Sequence, residues 1–456
     1  MSPEYAMIQT RTTTGRICEP LYFLHIPKTA GTSVRSWLQE LFGFHDWLPC
    51  HILDEVKRKT REEINEHVFF SGHFGWHLLN YLDETPRVVT WLRDPVQREW
   101  STIRFNRSRF NELSEIAVKN NRLDWLEYFE FVKHASTREI LESKYYLGHA
   151  DNFQVRHLAG LAPRTEACVV DEHVLEIAKQ NLQDMLAFGI SEWMGPSVDY
   201  LSFKLNQFHR PMNHRLNVGK SVSTQRSADL APEDIALMRH LNRFDQALYE
   251  FACGLFIERM KEMIQLLGCD VNSDRIDNWL TDYDRHPQTA SLRQAIDAWF
   301  QISHQYDYRP PGAVIRFAEP TFLRGWHRCM LSSEGKVIRW AGPEPRASVF
   351  VALEPGRRYR VETTLVNITS RRVVRSLHMS LGDVSRPVSW YKLPSDEGQR
   401  HQYLVEAVFP ANAVAEDVPY TELVLENTSE MGSFAHDPSV KVSVATEGFT
   451  ITAEGN

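Results

Sequence analysis

The chain has 456 residues, enough for roughly two or three ordinary domains. Its 43% hydrophobic and 24% charged residues are those of a globular protein, which excludes wholesale disorder. Lys and Arg total 51 against 59 Asp and Glu, and the net charge of −8 argues against a chain that coats nucleic acid.

The N-terminus, MSPEYAMIQTRTTTGRICEP, is polar and lacks the apolar core of a signal peptide, and no apolar run is long enough to span a bilayer. The six cysteines are scattered without a CxxC pair, so neither a disulfide framework nor a zinc knuckle is expected. These features predict a cytoplasmic protein with no membrane span.

Leu21 to His25 is a short apolar run that reads as a buried strand, followed by a turn from Ile26 to Gly31. Val34, Trp37, Leu38, Leu41 and Phe42 then fall on one face of a helix. Asp54 to His67 reads as a charged helix, Val68 to Phe70 as a second strand and Arg87 to Leu92 as a third. Asp94-Pro95 supplies an N-cap and a first-turn proline for the next helix. Alternating strands and helices predict an α/β fold, a parallel sheet flanked by helices.

The character changes near residue 305. Residues 259–312 read as a polar helical connector, docked through Trp279, Leu280, Ile296, Trp299 and Phe300. From 313 to 456, period-2 segments predict an all-β sandwich of jelly-roll type. Residues 1–258 make the first unit. In the last, Trp326, Trp340, Trp390 and Tyr391 are candidates to stack on sugar faces, and the unit could also mediate self-association into a homo-oligomer.

The most informative segment is His25-Ile26-Pro27-Lys28-Thr29-Ala30-Gly31-Thr32-Ser33, set between a strand and a helix. That placement aims free backbone N–H groups and a positive helix end at one point, which suits an anion. Gly31 permits close approach, Lys28 adds a charge, and Thr32 and Ser33 add hydroxyls. The loop is not a Walker A motif, in which the Lys directly precedes the hydroxyl residue. Here Lys28 comes three residues before Gly31.

HIPKTAGTS resembles the 5′-phosphosulfate loop of the sulfotransferases, in the branch with heparan sulfate 2-O-sulfotransferase and bacterial carbohydrate sulfotransferases. Val89 to Ser101 (VTWLRDPVQREWS) is similar to the family's 3′-phosphate segment. Asp151 to Gly160, Phe188 to Glu192, Leu216 to Val218 and Asn242 to Ala252 agree in order, so the resemblance covers about residues 20–258.

The resemblance implies a P-loop-like fold and a 3′-phosphoadenosine-5′-phosphosulfate donor, with adenosine 3′,5′-bisphosphate as product and no metal required. It implies transfer to a hydroxyl of a carbohydrate or glycoconjugate. Lys28 would neutralise the leaving phosphate, and Thr29, Ala30, Gly31, Thr32 and Ser33 would hold the 5′-phosphate. Arg93 and Ser101 would hold the 3′-phosphate, with Asn217 and Lys220 closing over it.

A sugar hydroxyl is a poor nucleophile, so a general base is useful. His73 follows the second strand, at the sheet edge where α/β sites form, and the resemblance selects the same residue as the base. His77, Arg104, Arg107, Gln154 and Arg156 are candidates for binding the acceptor. Two other readings stand beside this one: a P-loop kinase of a small molecule, and a glycan-binding protein with an inactive nucleotide pocket.

Overall fold

The computed structural model describes residues 10–11, 16–17, 19–119, 121–147, 150–161, 169–212, 230–269, 276–304, 308–394, 401–434 and 437–455. Four strands, β1 (Leu21–Leu24), β2 (Phe69–Gly72), β3 (Arg87–Leu92) and β4 (Ala187–Ile190), form a parallel sheet in the order β2-β1-β3-β4. All four residues of β1, Leu-Tyr-Phe-Leu, are wholly buried, as expected of a central strand covered on both faces.

Helix α1 (Gly31–Gln39) follows β1 and buries Val34, Trp37 and Leu38. It ends before Leu41 and Phe42, which are buried all the same, in the turn beyond it. Helix α2 (Pro95–Ser108) follows β3, with Asp94 accepting the Gln97 N–H as N-cap and Pro95 in the first turn.

The helix expected over Asp54 to His67 is instead two short helices, Leu53–Val56 and Arg61–Asn65. Thr60 divides them. Its hydroxyl accepts the Glu63 N–H while the Glu63 carboxylate accepts the Thr60 N–H, a capping box that starts a new helix.

Helices α3 (Phe153–Leu158), α4 (Met194–Lys204), α5 (Arg243–Leu266) and α6 (Pro287–Ser303) complete the part of the frame that bears on the site. Helix α5 runs without a break through residues 258 and 259. Of the residues expected to dock this segment, Trp279, Leu280, Ile296 and Phe300 are buried and Trp299 is partly buried. Among the described residues, no helix is long and apolar enough to cross a membrane.

Among its described residues, the C-terminal region is antiparallel throughout, in two main sheets that share one apolar core. The smaller has five strands, with Thr421–Asn427 at its centre between Leu377–Leu381 and Arg346–Val351. The larger has eight, built around the eleven-residue strand Arg358–Ile368. Trp326 and Trp340 belong to the interior and cannot offer their faces to sugar, whereas Trp390 and Tyr391 are 41% and 53% exposed on an edge strand.

The two regions are welded together. Phe208 and Phe300 pack with Phe322, Phe350 and Tyr420 from the β region, the Phe208 and Phe350 rings stacking 3.6 Å apart. The buried Arg339 guanidinium donates to the Glu40 carbonyl beyond α1, at 3.2 Å. Phe300→Ala is expected to cost about 3–5 kcal/mol, because the hole opens among rings that cannot close in on it. Urea unfolding of the full chain measures this, and a loss under 1 kcal/mol would show that the weld is loose.

Candidate active site

The carboxyl ends of all four parallel strands deliver polar residues to one cleft of about 1390 Å³. His25 to Gly31 follow β1, His73 follows β2, Arg93 follows β3, and Ser191 and Glu192 follow β4. This is where open parallel sheets form their sites, since the helices that follow the strands start there.

The loop after β1 has an unusual backbone. Lys28 (φ 70°) and Ala30 (φ 65°) are left-handed, with Thr29 between them. Such alternation curls successive N–H groups into a concavity for an anion, at a cost of about 1–2 kcal/mol per non-glycine residue. Side chains tie the loop's carbonyls down. Arg93 donates to the Lys28 carbonyl at 3.1 Å, the Ser191 hydroxyl lies 3.0 Å from the Thr29 carbonyl, and the Thr29 hydroxyl donates to the Ile26 carbonyl at 2.8 Å. Helix α1 begins at Gly31, so the positive end of its dipole adds to the same concavity.

Lys28, Ala30, Gly31, Thr32 and Ser33 line the cleft, while the Thr29 side chain is buried behind it. Gly31 is required by packing, not by its φ. A Cβ there would lie 1.9 Å from the His25 ring.

A cationic wall faces the loop. Gln97, Ser101, Arg104 and Phe105 line the cleft from one face of α2, joined by Arg93 before the helix and Arg109 after it. The Lys28 ammonium lies 3.8 Å from the centre of the Phe105 ring. Burial, then the charges of Arg93, Arg109 and Arg104, push its pKa down to about 8. Crowded cations of this kind lower the energy of the complex when an anion arrives between them. Glu192 lies 3.9 Å from Arg93 and accepts from Tyr249, and burial raises its own pKa.

His73 Nδ1 lies 3.0 Å from the His25 carbonyl. A carbonyl only accepts, so Nδ1 carries the hydrogen and Nε2 is the basic nitrogen of the neutral ring. His73 lines the cleft together with the loop and the Arg93 segment.

Not every expected residue reaches this cleft. Arg107 points away from it and caps another helix by donating to the Val132 and Ala135 carbonyls. Arg156 is buried and bound to Asp151. Gln154 is buried too, and brackets Arg93 from behind, accepting its N–H at 3.0 Å and donating to its carbonyl at 2.8 Å. His77 lies in the short helix Gly75–Tyr81, outside the cleft lining. Arg104 does line the cleft. Asn217 and Lys220 lie outside the described residues.

The far wall comes from residues that the sequence did not single out as site residues. Asp199, fully buried, accepts from the Tyr283 hydroxyl at 2.9 Å and from Arg293 at 2.8 Å, and its other oxygen is 2.6 Å from His209 Nδ1. Arg293 also reaches Asp284 at 2.7 Å. Burial works against the Asp199 carboxylate, yet His209 and Arg293 hold it below the ordinary range. These residues come from α4, the segment after it, and the helical segment before and within α6.

No family model matches the chain. The chain is 27% identical over 341 residues to heparan-sulfate 6-O-sulfotransferase 2 of Danio rerio, a match covering 64% of this chain and 67% of that protein. This distant relationship supports a sulfotransferase. It does not point to the 2-O branch, since the relative is a 6-O enzyme by name. Among solved structures, the CBM22-2 xylan-binding domain of Paenibacillus barcinonensis Xyn10C matches 28% of this chain and 92% of that domain, at 10% identity and a TM-score of 0.16. A likeness that slight says nothing about the fold.

Proposed function

We propose that the chain is a sulfotransferase that moves a sulfuryl group from 3′-phosphoadenosine-5′-phosphosulfate to a hydroxyl of a carbohydrate or glycoconjugate. The observation that carries this reading is the convergence of the left-handed loop at Lys28 to Ala30, the cations around it and His73 on one cleft. The distant relationship to a heparan-sulfate sulfotransferase supports it. The cleft also exceeds the roughly 300–1,000 Å³ typical of a single small ligand, which suits a donor and an acceptor together.

The donor supplies an activated sulfuryl group on a phosphate. The loop N–H groups and the Thr32 and Ser33 hydroxyls hold its 5′-phosphate, while Arg93 and Ser101, with Gln154 bracing Arg93, hold the 3′-phosphate. His73 Nε2 takes the proton of the acceptor hydroxyl as the oxygen attacks sulfur. Lys28 meets the negative charge left on the bridging oxygen as the S–O bond breaks. Positioning and charge stabilisation carry most of the catalysis, as in phosphoryl transfer.

The test is mass-detected sulfate transfer from the donor to heparan sulfate and to a panel of uronic-acid and neutral polysaccharides. Calorimetry accompanies it: adenosine 3′,5′-bisphosphate is expected to bind without magnesium, and ATP with magnesium not to displace it. Tight ATP binding with phosphate transfer would overturn the reading in favour of a kinase.

A further inference from the structure

We propose that the His25 imidazole is a positioning residue, a flat spacer that sets the catalytic base against the phosphate loop. The proposal rests on the assignment of His73 as that base. Three contacts define the spacer. On one side its ring stacks on Phe23, with centroids 5.3 Å apart and planes 13° apart. On another it meets the His73 ring at 4.5 Å, tilted by 36°. Against the loop it occupies the space that a side chain on residue 31 would need, with Cδ2 and Nε2 both 1.9 Å from where a Cβ would stand. Gly31 opens the helix at the phosphate loop, so a single imidazole touches both the donor loop and the base.

The backbone of the same residue adds a second hold, because the His25 carbonyl accepts from His73 Nδ1 and orients the ring. The side chain sets where His73 stands, and the carbonyl sets how it is turned. Close packing transmits such a displacement, since the interior has little slack to absorb it.

An imidazole in this place must stay uncharged, because a positive charge 4.5 Å from the His73 ring would oppose the imidazolium formed when the base takes its proton. The groups facing it are His73 at the end of β2, Arg35 on α1, His157 on α3 and Lys28 in the loop. Burial first, and then each of these four, disfavours the imidazolium of His25. Burial and its neighbours thus favour the neutral His25 ring.

The experiment compares His25→Ala, His25→Phe and His73→Asn on the acceptor giving the highest rate in the panel, with adenosine 3′,5′-bisphosphate affinity read by calorimetry. His25→Ala is expected to lower kcat about 100-fold, the scale of a 1 Å misplacement, with nucleotide affinity changed less than about threefold. Water entering the gap solvates the His73 imidazolium, so the acid limb of its pH–rate profile moves to higher pH. His25→Phe restores a flat neutral ring and is expected to recover kcat to within about tenfold, with the limb back in place.

A His25→Ala enzyme within threefold of the parent kcat, or one whose acid limb does not move, overturns the spacer. His73→Asn separates the two ideas. If it is inactive while His25→Ala is normal, the spacer fails alone, and if it is active the assignment of the base fails.

Discussion

Lys28→Ala is expected to lower kcat by about 10²–10³-fold, the usual effect of losing one donor aimed at developing charge. The melting temperature at pH 7 is expected to hold level or rise. The reason lies in the direction of the Lys28 shift, from an ordinary lysine value down to about 8, caused by burial and by Arg93, Arg109 and Arg104. A cation whose pKa falls on folding is more comfortable in the unfolded chain. Below pH 8 the penalty is fully present. Between pH 8 and the ordinary lysine range the unfolded chain holds more protons, so stability rises with pH, and the alanine variant lacks that rise.

The same shift predicts how the nucleotide binds. An anion beside Lys28 favours its charged form, so near pH 8 binding should draw in a proton, and affinity should weaken as pH rises above 8. Calorimetry in two buffers of different ionisation enthalpy measures the uptake. Binding without proton uptake at pH 8, or an affinity unchanged from pH 7 to 9, would show that Lys28 does not face the phosphates.

The parts of the candidate site that lie close together in sequence are legible in the sequence alone. The loop from His25 to Ser33 signals itself because a strand end, a helix start and a charged residue fall within nine positions. Arg93 and His73 were legible for a related reason, since each directly follows a strand of the parallel sheet. The far wall was not. Asp199, His209, Tyr283 and Arg293 carry no motif, and only the packing of α6 and the segment before it against α4 brings them together.

Arg107, read as part of a basic cluster, and Arg156, read by its place in the Asp151 to Gly160 motif, do not reach the cleft. Arg107 falls on the helix face that carries it to the Val132 and Ala135 carbonyls, while Arg104, three residues earlier, falls on the face lining the cleft. Helical phase separates the two, and the sequence does not show that α2 packs on other helices, with Val96, Trp100 and Ile103 against Val132, Ile140 and Leu141. The motif position of Gln154 marks it as an acceptor-side candidate, and the fold sets it behind Arg93. It holds the backbone of Arg93 and leaves the cleft itself to others.

His73→Ala is expected to cost about 10²–10⁴-fold in kcat, the range for a lost general base. Adenosine 3′,5′-bisphosphate should bind within threefold of the parent affinity, because the proposed holds on the phosphates lie in the loop, at Arg93 and in α2. The parent enzyme should lose kcat/KM on the acid side as His73 becomes protonated, and the variant should lose that limb. His73→Asn sharpens the distinction between base and anchor. Its side-chain amide can still donate to the His25 carbonyl in the place of Nδ1–H, but it has no basic nitrogen where Nε2 stood. If His73 only braces the end of β1, asparagine keeps most of the rate; if Nε2 takes the acceptor proton, asparagine is as slow as alanine while melting at the parent temperature.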